Sequence, residues 1–322
     1  MEYAKLEGLD KPLSRIAYGC DCRPMHAGDA SFTSFLDYLY DELGITLFDN
    51  AFHYGESEAL LGKWMEQRKN REKVAVISKG CCLGPKKKHI SKELLESECN
   101  ASLERLKTNC IDIYYLHRDD LSFEAEELIE MLNDLRKAGK INLIGVSNWS
   151  VARIKKANEY AEKHGLEKIR FSSPSFSLAR QVIDPWRGGA GCVCLSHDQE
   201  SMAFYAEAKI AVAPYSAMAR GFLAGRYPSS KKFAIWKSLD WAARIAYFHK
   251  ENFIVMRKAE ELAAKKGCTL SQLNLAYILS QDFLTFPVIG STNKSRMKAN
   301  VEALGVILSK EEIGSLNNTK KK

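Results

Sequence analysis

Eight short apolar runs, spaced through the chain, constrain its fold more than any other feature. They read "RIAYGCD" (15–21), "ITLFDNA" (45–51), "VAVISKG" (74–80), "IDIYYLHR" (111–118), "INLIGVSN" (141–148), "IRFSSPSF" (169–176), "IAVAPYSA" (210–217) and "FPVIGST" (286–292). Most are apolar throughout rather than alternating, the pattern of parallel strands covered on both faces. Amphipathic stretches separate them. Leu60, Leu61, Trp64 and Met65 share one helical face, as do Leu95, Cys99, Leu103 and Leu106, and Leu128, Met131, Leu132 and Leu135. Ser91 and Ser150 fit as N-caps, Gly139 as a stop, and "TLSQ" (269–272) and "SKEE" (309–312) as capping boxes. Strand and helix alternate about eight times, which predicts a single α/β domain over residues 1–322, an eight-fold (β/α)8 TIM barrel. A doubly wound sheet has the same periodicity, but no G-x-G-x-x-G follows any strand. Two longer irregular regions, about 177–197 and 218–250, are expected to be loops at the C-terminal mouth.

Composition narrows the function classes. The net charge of +7 includes two local clusters, Lys86–Lys88 and Lys320–Lys322. No nucleic-acid motif accompanies them, so they read as solvated surface lysines and no nucleic-acid partner is expected. No stretch approaches the ~20 apolar residues of a membrane helix, and the N-terminus has no signal-peptide core. A cytoplasmic location with reduced thiols follows as the expectation for the nine cysteines. The pairs Cys20/Cys22, Cys81/Cys82 and Cys192/Cys194 lack C-x-x-C spacing, so no metal site is expected.

The polar residues of the apolar runs gather near their C-terminal ends: Asp49, Lys79, His117, Ser147 and Asn148, Ser172 and Ser173, Tyr215 and Ser216, Gly290 and Ser291. In a barrel these ends converge on the mouth where active sites are built. Taken singly, Asp49 would serve equally as a helix cap, His117 as a structural histidine and Tyr54 as packing. Jointly, an acid, a lysine, a histidine and a tyrosine at three successive strand ends match the needs of carbonyl reduction. Lys79, held by Asp49, would favour the phenolate of Tyr54 and lower its pKa. Tyr54 would act as general acid, or as base in the reverse direction. A neutral His117 would orient the carbonyl oxygen. A hydrolase or isomerase using Asp49 and His117 leaves Tyr54 and Lys79 without a role.

Over nearly its whole length the chain resembles the aldo-keto reductases. "FDNAFHYGESEALLG" is similar to that family's D-T-A-x-x-Y-G-x-S-E signature, with Asn50 in place of threonine, and "ISKG" and "IDIYYLHR" match the strands bearing its lysine and histidine. The resemblance implies that Asp49, Tyr54, Lys79 and His117 form a catalytic tetrad in an NAD(P)H-dependent enzyme acting on an aldehyde, ketone or sugar-like carbonyl, or on the corresponding alcohol. It further implies a cofactor site at Gly19, Cys20, Asp49, Ser147, Asn148, Ser173, Tyr215, Ser216, Ala217, Met218, Arg220, Gly221, Gly290, Ser291, Thr292, Arg296 and Asn300. Ser147 and Asn148 would bond the carboxamide, and Tyr215 would stack on the nicotinamide. Ser173 stands where the family usually has glutamine. Arg296 favours NADP(H), with NAD(H) as the other choice. Cys22, Phe52, His53, Cys82, Trp149 and Trp186 are expected to line the substrate pocket. The segment "CVCLSHDQESMAFY" with "DPWRGG" resembles a bacterial subgroup. The family also contains cofactor-sensing binding subunits, which is the alternative to an enzyme.

Overall fold

The computed structural model describes residues 1–83, 89–186 and 191–317. The lysine clusters at 86–88 and 320–322 lie outside these residues. Among the described residues there are ten strands: β1 (Tyr3–Leu6), β2 (Leu9–Ser14), β3 (Ala17–Gly19), β4 (Leu47–Asp49), β5 (Ala75–Gly80), β6 (Ile111–Leu116), β7 (Ile141–Ser147), β8 (Ile169–Ser173), β9 (Ala211–Val212) and β10 (Val288–Ile289). The last eight form one parallel sheet in the order β10-β3-β4-β5-β6-β7-β8-β9. Its ends meet. Val212 N donates to Leu284 O (2.9 Å), Phe286 N to Val212 O (2.8 Å) and Val288 N to Pro214 O (3.1 Å), which closes the sheet into the expected barrel.

Side-chain alternation along each strand divides the core in two. Ala17, Leu47, Ala75, Ile77, Ile113, Tyr115, Leu143, Phe171, Ala211, Ala213 and Phe286 form one buried cluster inside the barrel. Phe48, Val76, Tyr114, Leu116, Ile144, Val146 and Val212 belong to the second cluster, with the helices. The helical faces read from the sequence are the buried ones, with Leu103 and Met131 half-buried at their margins. Ser91 and Ser150 cap their helices through bonds from Leu94 N and Arg153 N. Thr269–Gln272 forms a capping box, and Ser309 and Glu312 exchange the two bonds of another.

Two features depart from the sequence reading. Residues 3–14, which carry no parallel-strand signature, form an antiparallel hairpin, β1 with β2. Leu9 and Leu13 join the interior cluster, so the hairpin plugs the barrel floor. Ser14 and Thr46 exchange two backbone-to-hydroxyl bonds (3.0 and 3.1 Å), and Asp112 binds both Lys11 (2.9 Å) and Arg71 (2.8 Å) beside it. The 218–250 region, read as irregular, holds two short helices, Lys232–Ser238 and Trp241–Tyr247. Asp240 caps the second through Ala243 N, a local signal hidden in a stretch with no long apolar stripe.

Candidate active site

The mouth is built by extending the interior rows of the barrel two residues upward. Leu47 leads to Asp49, Ala75 and Ile77 to Lys79, Ile113 and Tyr115 to His117, and Phe171 to Ser173. Asp49 and Gly19 are register partners, as are Lys79 and Tyr115, and Ser147 and Ser173. The pleat thus turns a run of apolar inward positions into a ring of polar ones where the strands end.

Lys79 Nζ donates to Asp49 Oδ1 (2.7 Å) and to Asn50 O (2.7 Å), with both side chains of the ion pair buried. Burial pushes the Asp49 carboxyl up, and the Lys79 charge opposes this. Asn50, where the family signature has threonine, accepts Ala51 N on its own Oδ1 (2.9 Å) and so fixes the turn that presents its carbonyl to Lys79. The chain then reaches Tyr54, whose ring centroid lies 5.3 Å from Lys79 Nζ. Gly55 follows with φ +57, and a Cβ there would stand 2.7 Å from His26 O, so glycine is required at this turn. The helix Ser57–Arg68 starts immediately after. Ser57 Oγ donates to Cys20 O (3.3 Å), and the buried Glu58 accepts from Ser78 Oγ (2.5 Å), anchoring the loop to β5.

His117 follows β6, its ring centroid 6.1 Å from that of Tyr54 and 4.5 Å from that of His53. Burial, with the charges of Lys79, His53 and Arg118, holds His117 well below the ordinary imidazole range, so it is neutral. The same causes, burial first and then Lys79, bring His53 to about 4. The Tyr54 phenol goes the other way from the sequence expectation. Burial, then the Asp49 and Asp21 carboxylates, raise it well above its usual value, and because Lys79 is already matched by Asp49 it does not reverse this. Donor atoms of His53, Cys82 and His117 lie within 4.8 Å of one another, a spacing a metal ion can span, but Lys79 and Arg118 set two positive charges beside them.

A second group joins β7, β8 and β9. Ser147 Oγ donates to Ser173 O (2.9 Å) and Asn148 Nδ2 to Ser147 Oγ (3.1 Å). Asn148 Oδ1 accepts Tyr215 OH (2.8 Å) and Val193 N (3.2 Å), and Asn148 itself is left-handed at φ 61. The following loop also departs from ordinary backbone, with Ser216, Ala219 and Arg220 at φ 51, 46 and 51 and Gly221 at φ 94. Asn274 Nδ2 ties this loop down through Ala217 O (2.7 Å) and Met218 Sδ (3.4 Å). Arg220 pairs with Asp240 (2.7 Å) and lies over the Trp186 ring at 5.0 Å. At the barrel seam, Gly290 packs so closely that a Cβ would be 3.2 Å from Gly19 O, and Cys20 N donates to Asp49 O (2.8 Å). Beyond it, Asn293 caps the helix Lys294–Glu302 through Arg296 N, leaving Thr292 and Arg296 exposed and Ser291 half-buried. Asn300 is buried on that helix against Met297 Sδ (4.0 Å).

Of the six expected pocket residues, His53 sits among Tyr54 and His117, Phe52 lies under the Arg105 guanidinium (4.5 Å), and Cys22 contacts Tyr18 OH (3.6 Å). Cys82 approaches His53 and His117, and Trp186 is 43% exposed beside Arg220. Trp149 does not line an open pocket: it is 1% exposed, packed among the outer core with Arg153 across its ring (5.1 Å). Its place just after a strand end gave no sign of this, since the chain turns there into the helix capped by Ser150. Arg118, Asp184 and Cys192 near the mouth, and Glu58 buried against Ser78 on the outer side of β5, are residues that strand-end reasoning passed over. Glu58 lies inside the signature stretch and Arg118 directly follows His117, so adjacency was the available signal.

None of the nine cysteines forms a disulfide. No helix of the described residues is long and apolar enough to cross a membrane. The aldo/keto reductase family model matches residues 26–321. The chain is similar to norsolorinic acid reductase stcV of Emericella nidulans, 30% identical over 88% of this chain and 70% of that protein. It is also similar to aldo-keto reductase str7 of Strobilurus tenacellus, 27% identical over 85% and 76%, and to aldo-keto reductase yakc [NADP(+)] of Schizosaccharomyces pombe, 28% identical over 91% and 85%. These relatives are fungal, whereas a bacterial subgroup was expected from the 184–205 region.

Proposed function

The chain belongs to the aldo/keto reductase family, and on that premise we propose that it is an NADP(H)-preferring oxidoreductase of the cytosol that reduces an aldehyde or ketone to an alcohol. The observation carrying this reading is the buried Lys79–Asp49 pair set beside Tyr54 and a neutral His117. A proton must reach the carbonyl oxygen as charge develops on it. Tyr54, kept protonated by burial, holds that proton. Once Tyr54 has given it up, the phenolate is left near the Lys79 ammonium, whose position Asp49 and Asn50 fix without rearrangement. His117, being neutral, can donate one hydrogen bond to the same oxygen and orient it.

The nicotinamide cofactor, when bound, supplies the hydride. Several features fit it. Ser147 and Asn148 form a polar pair beside Tyr215, whose flat ring suits stacking. The left-handed backbone at 216–221 and the glycine contact of Gly19 with Gly290 let main chain come close to a ligand. Arg296 is exposed on the first turn of its helix and makes no ion pair among the described residues, which suits a 2′-phosphate. One relative carries NADP(+) in its name.

The test is Tyr54→Phe. Turnover of a panel of aldehydes, ketones and sugars should fall about 10²-fold or more, while quenching of tryptophan fluorescence by NADPH is retained and exceeds that by NADH. Wild-type turnover in Tyr54→Phe would remove Tyr54 from the chemistry. Cofactor binding with no turnover of any carbonyl would favour a cofactor-sensing protein instead.

A further inference from the structure

A guanidinium taken out of water normally meets a carboxylate, because an unpaired buried charge is costly. Arg118 is an exception. It is 9% exposed, and among the described residues its hydrogen bonds use Nη1: one to Gly191 O (3.4 Å) and one to Cys192 Sγ (3.1 Å). A thiol is a weak acceptor, and burial raises the Cys192 thiol, so it brings no negative charge. The acids nearest in sequence are occupied. Asp119 pairs with Arg153 (2.8 Å), and Asp120 accepts from Ile90 N (2.8 Å) and Ser122. Asp184 lies close enough to feel the Arg118 charge, but its oxygens accept Trp186 N (2.8 Å) and Cys192 N (3.0 Å), and it makes no ion pair with Arg118. Segments 84–88, 187–190 and 318–322 contain no Asp or Glu. The Nε and Nη2 donors therefore have no acceptor among the described residues.

The guanidinium is also in the right place. It follows His117 directly, and its charge depresses both His117 and His53. The sulfur it contacts is within hydrogen-bonding reach of Tyr215, and the next residue, Val193, donates to Asn148. Arg118 thus stands on the rim between the tetrad and the Ser147–Asn148–Tyr215 group. A planar fork with two unused donors matches the two oxygens of a carboxylate. We propose that Arg118 is a specificity-determining residue that binds a carboxylate carried by the carbonyl substrate, so that the preferred substrates are oxo acids. This rests on the reductase reading for the reaction but not for the anion site itself.

The test has two arms, both on the full-length protein. In the first, benzoate is titrated into cofactor-free protein by calorimetry, with benzamide as the uncharged control. Benzoate should bind more tightly than benzamide, Arg118→Gln should weaken benzoate about tenfold or more, and Arg118→Lys, which keeps charge but not the fork, should fall between. The lysine variant keeps the experiment decisive should the glutamine variant not fold. Benzoate no tighter than benzamide, or unchanged in both variants, overturns the proposal. So does a variant that weakens NADPH and leaves benzoate alone, because Arg118 would then serve the cofactor. In the second arm, phenylglyoxylate and its methyl ester are compared as substrates with NADPH. Arg118→Gln should lower kcat/KM for the acid about tenfold relative to the ester; an equal loss on both overturns the proposal. Arg118-dependent benzoate binding with no carbonyl reduced would retain the anion site and dismiss the reductase.

Discussion

The Lys79–Asp49 pair ties the stability of the mouth to the chemistry proposed for it. Both groups are buried, and the attraction between them offsets a desolvation cost that each would otherwise meet alone. Asp49→Asn can keep an amide oxygen beside Lys79 but removes the carboxylate charge paired with the buried ammonium. The variant should lose about 3–5 kcal/mol of folding stability in urea denaturation, together with most carbonyl turnover; unchanged stability would mean that the pair is relaxed by solvent. That Asp49, Lys79 and His117 meet at the mouth was readable from the sequence because each lies at or just beyond a strand end, two residues after an inward residue, with Tyr54 five residues beyond Asp49 on the loop that follows. Trp149 misled the same logic, since a large aromatic beside a strand end packs as well under a helix as into a mouth. The direction of the Tyr54 shift was also not readable. It depends on burial, a property of the closed barrel and not of the local motif.

The strands place these residues only because the layer beneath them is solid. Gly145 of β7 faces the Tyr115 ring so closely that a Cβ would lie 2.0 Å from Cε1 and 2.1 Å from Cδ1, with Phe171 Cβ at 3.1 Å. Tyr115 is fully buried and sits one interior position below His117, so it has nowhere to move without disturbing the site. Gly145→Ala should therefore cost about 1–3 kcal/mol through overpacking, read as a lowered urea midpoint. Adding Tyr115→Val should restore part of the loss, a non-additive outcome that independent sites would not give. The apolar strand runs announced this barrel, and their number gave its size. The floor hairpin escaped notice because Leu9 and Leu13 are only two inward residues in a short polar segment. Their burial becomes visible when eight strands close above them.

The whole molecule carries an acid sensitivity that follows from three imidazoles whose surroundings disfavour their charged form. His53 is brought to about 4, and His117 and His197 are also held below the ordinary value, in each case chiefly by burial. In the unfolded chain these groups titrate near ~6.5. Between that value and their folded values the unfolded chain binds more protons, so stability rises with pH there and is lost as pH falls from about 6.5 toward about 4. The buried carboxyls of Asp49, Glu58 and Asp119 are shifted upward and pull in the opposite direction, so the net curve mixes both groups. A difference measurement separates them. Lys79 and Arg118 add to the depression of His53, Asp21 opposes it, and none of the three is removed by His53→Gln. The stability lost between pH 7.5 and pH 5.5 in urea denaturation should be smaller in His53→Gln than in the wild type. Equal losses in the two proteins would show that His53 titrates normally in the folded state. The mouth would then be wetter than its packing implies, and His117, which feels His53 as one of its neighbouring charges, would lose part of the reason for its neutrality.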